Sequence, residues 1–224
     1  MDLRDISKMR VTVRKFDQRP VEKEKIDLIL EAGRWSPTAV DYQPQRILVL
    51  TTPESLNKVR QFCTFGYDKK YAELAEECDT ADHTHNVYYY GAPLVFLICW
   101  DKTACWTHPQ NGQSSGSTDA TIVTTHMMLE AASLGLGTVW ISYFDHDKAR
   151  ELLDIPESFE INGMLYVGYP AKDFKPNPHM SGKRHPIAHT CFDNSFDKPY
   201  QTDFFEEAAT VTFREPESNG LPKA

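Results

Sequence analysis

The sequence predicts a single domain of class α+β, in which a sheet is packed between helices. Three observations carry this expectation. Ala92–Trp100 reads APLVFLICW, a continuously apolar run bounded by Gly91 and Asp101, as a strand covered on both faces should be. Val21–Trp35 places Ile26, Ile29, Leu30 and Gly33 at the i, i+3, i+4, i+7 spacing of an amphipathic helix. A second helical stretch runs from Ser117 or Thr118 to Leu134, stops at Gly135 and passes at once into the β-rich GTVWIS. At 224 residues the chain is long enough to bury a proper core between such layers.

The remaining elements follow from local chemistry. Pro20 pre-sets the first turn of the first helix. Residues 36–44, SPTAVDYQP, are turn formers and read as a loop, and 46–51, RILVLT, as a short strand. Pro53–Phe62 resumes helical spacing, and Ala92–Trp100 is expected at the centre of the sheet. Asp101 to Gly116 is a polar loop. Asp145 caps a short helix over Lys148–Leu153 that Pro156 ends, and Gly163–Tyr169 supplies a further strand. Residues 63–90, rich in aromatics, acids and histidines, are expected to form a lid. Phe62, Phe65, Tyr67, Tyr71, Tyr88, Tyr89 and Tyr90 then either pack in the core or line a flat slot. The domain is expected to span 1–200, with a C-terminal tail at 201–224.

Composition narrows the function. Lys and Arg number 24 against 32 Asp and Glu, a net charge of −8 that opposes wrapping a nucleic-acid backbone, so any anion site must be a local cluster. The longest apolar run falls far short of the roughly 20 residues that span a membrane, and the N-terminus carries no apolar signal segment. A cytoplasmic protein with neither nucleic acid nor membrane as partner is expected. The five cysteines are scattered without a CxxC pair, which fits free thiols in a reducing compartment. No metal site is expected, since His83, His85, His108 and Cys105 follow no ligand pattern.

Arg10, Thr12 and Arg14 lie in RVTVRKF, where an extended backbone brings alternate side chains to one face. Two guanidiniums and a hydroxyl there hold a phosphate, or else form a solvated charged face. Gly112, Ser114 and Gly116 match G-x-S-x-G, which makes Ser114 a candidate hydrolase nucleophile, although the polar HPQN rather than a strand precedes it. GLGTVW lacks the third glycine of a dinucleotide fingerprint and runs from helix to strand, so a nicotinamide dinucleotide would visit rather than reside.

Taken in order, Arg10–Phe16, Ser36–Pro44, Gly135–Trp140 and Gly168–Pro170 resemble the motifs of the nitroreductase family: R-x-[ST]-x-[RK]-x-F, [ST]-P-[ST]-x-x-N-x-Q-P, G-L-G-x-x-W and G-Y-P. The resemblance implies a mixed, mainly antiparallel sheet sandwiched by helices, in a homodimer whose interface makes two FMN sites. It further implies a ping-pong oxidoreductase that takes electrons from NAD(P)H and passes them to a small organic acceptor such as a nitroaromatic or quinone. Carried over by motif, Arg10, Val11 and Thr12 meet the phosphate and ribityl end of FMN. Arg14 lies at the pyrimidine edge, stabilising charge near N1 and O2. Pro37, Thr38, Asp41 and Gln43 form a second contact, and Gly137, Thr138, Trp140, Ile141 and Ser142 a third. Lys183 or Arg184 closes on the phosphate.

Asp41 departs from the family's Asn: an ionised Asp only accepts hydrogen bonds, and its charge opposes flavin reduction. Beside this reading stand a flavin-storage or sensing protein without turnover, a specialised reaction on the same scaffold such as reductive dehalogenation or flavin destruction, and a serine hydrolase at Ser114.

Overall fold

In the computed structural model, which describes residues 2–63, 90–176 and 184–202, the chain divides into two compact units, Met1–Lys175 and Pro176–Ala224. The first unit carries, in order, α1 (Leu3–Met9), α2 (Lys23–Arg34), β1 (Gln45–Leu50), α3 (Pro53–Cys63), β2 (Leu94–Asp101), α4 (Gly116–Ser133), β3 (Gly137–Ile141), α5 (His146–Leu152) and β4 (Phe159–Gly168). The strands form one sheet in the order β1-β2-β4-β3, every neighbouring pair antiparallel. A parallel bridge from Thr12 to Thr138 lays the N-terminal segment along the outer side of β3, which gives the sheet its mixed character.

β2 is interior and buried on both faces, as its unbroken apolar sequence requires. Strand alternation sends Leu94, Phe96 and Ile98 to one face, where α2 contributes Ile26 and Ile29 and α4 contributes Val123 and Met127. Val95, Leu97 and Cys99 point to the other, under Val59 and Phe62 of α3 and Ala149 of α5. Helices therefore sandwich the sheet.

The structure corrects several boundaries. The first amphipathic helix starts at Lys23 rather than Val21. α4 begins at Gly116 with Ser115 as N-cap, not at Ser117 or Thr118, and the Ser115 hydroxyl donates to Asp119 rather than capping backbone. β4 starts at Phe159, four residues before the expected Gly163. Its register against β2 slips between Ile98 and Cys99, leaving Asn162 as the extra residue of a bulge that breaks the apolar alternation. The Asn162 amide is not idle: Oδ1 accepts from Ser117 at 2.7 Å and Nδ2 donates to Thr121 at 3.2 Å, tying β4 to the start of α4. α1 was not expected. It buries no residue, so no apolar period announces it, and it rests on an Asp2 cap that accepts from the Asp5 amide at 2.9 Å. Asp145 caps α5 as expected, accepting from Lys148 N–H at 2.9 Å.

Within the second unit, the 3₁₀ turn Ile187–His189 leads into a small loop closed by a Phe192–Pro199 bridge. Of the expected lid only Cys63 and Tyr90 fall among the described residues. Phe65, Tyr67, Tyr71, Tyr88, Tyr89, His83, His85 and the tail beyond Thr202 lie outside them. No helix among the described residues is long and apolar enough to cross a membrane.

One core contact yields a test. The Cys63 thiol lies 3.0 Å from the Tyr166 hydroxyl, and burial pushes it from its ordinary 9.0 up to about 12, the Tyr166 hydrogen bond opposing in part. The folded state thus holds the thiol protonated beyond the unfolded value. Its contribution to stability is complete below pH 9 and is lost as pH rises from about 9 to about 12. The urea midpoint should fall over this window, and Cys63→Ala should flatten that fall; an identical pH dependence in the variant would contradict the assignment.

Candidate active site

The expected site residues sit in two groups at opposite corners of the sheet. At the first corner, Arg10 leaves the end of α1 in an extended conformation, its N–H donating to Ile6 O at 2.9 Å. The chain then runs beside β3, held by the Thr12–Thr138 bridge and by Val13 N–H donating to Thr138 O at 2.9 Å. Val13 is buried and Val11 packs against the same core. Arg10, Thr12 and Arg14 are thereby fixed by their neighbours' burial and set next to Gly137 and Thr138. The approach needs a glycine: a Cβ on Gly137 would stand 2.4 Å from Val13 Cγ2.

Charge at this corner is unbalanced. Among the described residues neither Arg10 nor Arg14 pairs with a carboxylate, although acids outnumber bases in the chain. Arg14 reaches the Tyr90 hydroxyl instead. Burial raises the Tyr90 pKa, against which the charge and hydrogen bond of Arg14 work. Tyr90 in turn stands edge-on to the buried Tyr166, 6.2 Å between ring centroids. The Thr138 hydroxyl is buried with no hydrogen-bond partner among the described residues. Two guanidiniums lacking anions and an orphaned hydroxyl fit a group that brings phosphate and polar edges. Trp140 and Ile141 continue β3, and Ser142 follows it.

The second corner is the loop after α2. Thr38 Oγ1 accepts from Gln43 N–H at 3.1 Å, Thr38 O accepts from Asp41 N–H at 3.1 Å, and Gln43 Nε2 donates to Asp41 Oδ1 at 2.9 Å. Three non-glycine residues here have positive φ: Val40 at 54°, Asp41 at 56° and Gln43 at 49°. Each such residue costs roughly 1–3 kcal/mol, a strain that clusters at functional sites. Pro37, Asp41 and Gln43 are exposed and Thr38 is half-buried.

These groups do not meet within one chain. The loop feeds Gln45, which pairs with Trp100 at one end of β2, whereas Thr138 pairs with Val167 and Val167 with Leu94 at the other end. The six steps from Leu94 to Trp100 amount to about 20 Å along the strands, and the three strand spacings from β1 to β3 to about 14 Å across them. Spanning this diagonal is α4, whose 18 residues reach about 27 Å.

Of the other candidates, Arg184 lies in the second unit and Lys183 outside the described residues. Ser114 is no nucleophile elbow. It closes a turn in which His108 N–H donates to Gln113 O at 2.8 Å, and its Oγ accepts from Gly116 N–H at 3.0 Å and lies 3.1 Å from Cys105 Sγ. No strand runs into it, and Gly116 is required by the Trp100 ring, 2.1 Å from where its Cβ would be. Sequence reasoning missed Asp119, buried on the core side of α4 and accepting from Ala39 N–H at 2.9 Å. An acid in register with Val123 and Met127 was the signal.

The family model described as the nitroreductase family matches residues 8–169, taking in both corners. The chain belongs to the nitroreductase family. A putative NADH dehydrogenase/NAD(P)H nitroreductase of Methanothermobacter thermautotrophicus is 28% identical over 182 residues, covering 77% of this chain and 80% of that protein. The crystal structure of a nitroreductase family protein from Clostridium difficile superposes with a TM-score of 0.72 at 31% identity, covering 87% of this chain and 99% of that one. A Bacteroides fragilis nitroreductase with bound FMN shares the fold, with a TM-score of 0.65 at 21% identity over 87% of this chain and 100% of that one.

The contact that seats the arginines makes a prediction for this nitroreductase-family fold. Gly137→Ala should lower stability by about 1–3 kcal/mol through overpacking against Val13. In a Val13→Ala background, which removes both Cγ contacts and leaves the Cβ at 2.8 Å, the added cost should shrink in part; fully additive losses in denaturant titrations would contradict the contact.

Proposed function

We propose that this chain is an FMN-dependent oxidoreductase that takes electrons from NAD(P)H and passes them to a small organic acceptor, a nitroaromatic or quinone by class. Donor and acceptor bind in turn, the ping-pong order, and the enzyme works as a cytoplasmic homodimer. The observation that carries this reading is the pair of guanidiniums that have no carboxylate partner among the described residues, beside Thr12 and β3 in a chain of net charge −8. The relative named as an NAD(P)H nitroreductase supports the donor, and the fold neighbour with bound FMN supports the cofactor.

Arg10, the Val11 main chain and Thr12 would hold the phosphate and ribityl end. When bound, FMN supplies the two-electron exchange, with negative charge gathering at its N1 and O2 end. Arg14 provides the fixed positive charge for that end, its guanidinium oriented by Tyr90. Gly137, Thr138, Trp140, Ile141 and Ser142 would back the ring, which would offer a partner to the Thr138 hydroxyl, unpartnered among the described residues. Pro37, Thr38, Asp41 and Gln43 come from the second protomer, because the diagonal of the sheet separates them from Arg10 and Arg14 in their own chain. The exposed Trp35 (72%), Val40 (67%) and Tyr42 (53%) around that loop support a face covered by the other copy.

The two arginines have separable roles. Arg14→Ala should slow flavin reduction by NAD(P)H about tenfold or more while changing FMN affinity less. Arg10→Ala should weaken FMN binding about tenfold or more with the reduction rate of the bound flavin largely kept. Fluorescence titration gives the FMN affinity and anaerobic stopped-flow absorbance the reduction rate; equal effects of both variants in both assays would refute this division.

A further inference from the structure

We propose that Asp119 is a positioning residue that latches the Pro37–Gln43 loop in its strained shape and so sets FMN affinity, an inference that rests on the function proposed above. Asp119 is 2% exposed in the first turns of α4, and each of its oxygens is committed. Oδ1 accepts from Ala39 N–H at 2.9 Å, and Oδ2 accepts from the Ser115 hydroxyl at 2.7 Å. Among the described residues it has no cationic partner. A carboxylate so placed is expensive to bury, offset here by two hydrogen bonds and the positive end of α4. An apolar side chain would pack this turn more cheaply, so the acid is there for what it holds.

What it holds is the loop. Among the described residues two hydrogen bonds leave the loop: Arg46 Nη1, in the adjoining β1, donates to Gln43 O at 3.1 Å, and Ala39 N–H donates to Asp119 at 2.9 Å, the bond that ties the loop to α4, while the others stay inside it. The internal bonds move with the loop and cannot decide its orientation. Positive φ at Val40, Asp41 and Gln43 means that the chain would relax away from this shape if released. Because α4 runs from Asp119 to the turn before Gly137, the loop that serves one site hangs on the same rigid element that ends at the other corner.

The test uses the full chain, with Asp119→Ala, the isosteric Asp119→Asn, and Val40→Gly, which accepts a φ of 54° without strain. Hydrogen exchange of amides 39–43 is measured without FMN, and FMN dissociation constants are measured separately. Asp119→Ala should speed exchange in the loop about tenfold while leaving β2 and β4 unchanged, and should weaken FMN binding about tenfold; Asp119→Asn, whose Oδ1 can still accept from Ala39 N–H, should move both readouts less. Val40→Gly should recover most of that affinity in the Asp119→Ala background, a rescue that loss of core packing would not permit. Three results overturn the proposal alone: unaltered loop exchange, faster loop exchange with FMN affinity intact, or no rescue by Val40→Gly. Wild-type protein that binds no FMN overturns the proposed function and this inference with it.

Discussion

Because Leu94 to Ile98 send side chains to both faces of the sheet and none reaches solvent, each face has to be roofed by helices, and the rest of the molecule is arranged to supply them. α2 and α4 cover one face and α3 and α5 the other. Lying on an apolar sheet, α4 buries Ala120, Val123, Met127, Ala131 and Ala132 along its length, and it delivers the chain across the diagonal to β3. Both corners are consequences of that crossing. One receives the arginine segment along the open side of β3; the other is the turn through which α2 enters β1.

At each corner the structure holds something unfavourable. Among the described residues, the first gathers two positive charges without acids and a buried hydroxyl without a partner, and the second holds three left-handed non-glycine residues around a buried carboxylate. Such costs persist when packing over-determines them and when a ligand or partner completes them. Burial of Val13 against β3 and the bond from Ala39 to Asp119 are what hold the two corners open for that completion. Asp41 adds a charge next to the strained turns, tied to the Gln43 amide.

Where burial patterned the residues, the fold was legible: the apolar run of β2, the helical period of α2, and the stop of α4 at Gly135, which has φ of 76°. It was illegible where structure does not rest on burial. α1 hides no side chain, and the Asn162 bulge puts a turn-like Asn-Gly pair inside a strand. Within the site, residue types offered Arg10, Thr12 and Arg14 as a phosphate cluster or a solvated face, and the 36–44 loop gained a role through the motif resemblance alone. The separation of the two groups depends on strand order, which no local pattern encodes. Asp119 was overlooked because an acid in the first turns of a helix ordinarily faces water and the helix dipole, and only the fold places it beneath Ala39.

The most direct measurement is the anaerobic visible spectrum of the purified protein, with FMN supplied if it emerges colourless, before and after adding NADH and then NADPH. A bound-flavin band that one of the nucleotides bleaches is the result this account predicts. A protein that takes up no FMN, or holds FMN that neither nucleotide reduces, would contradict it.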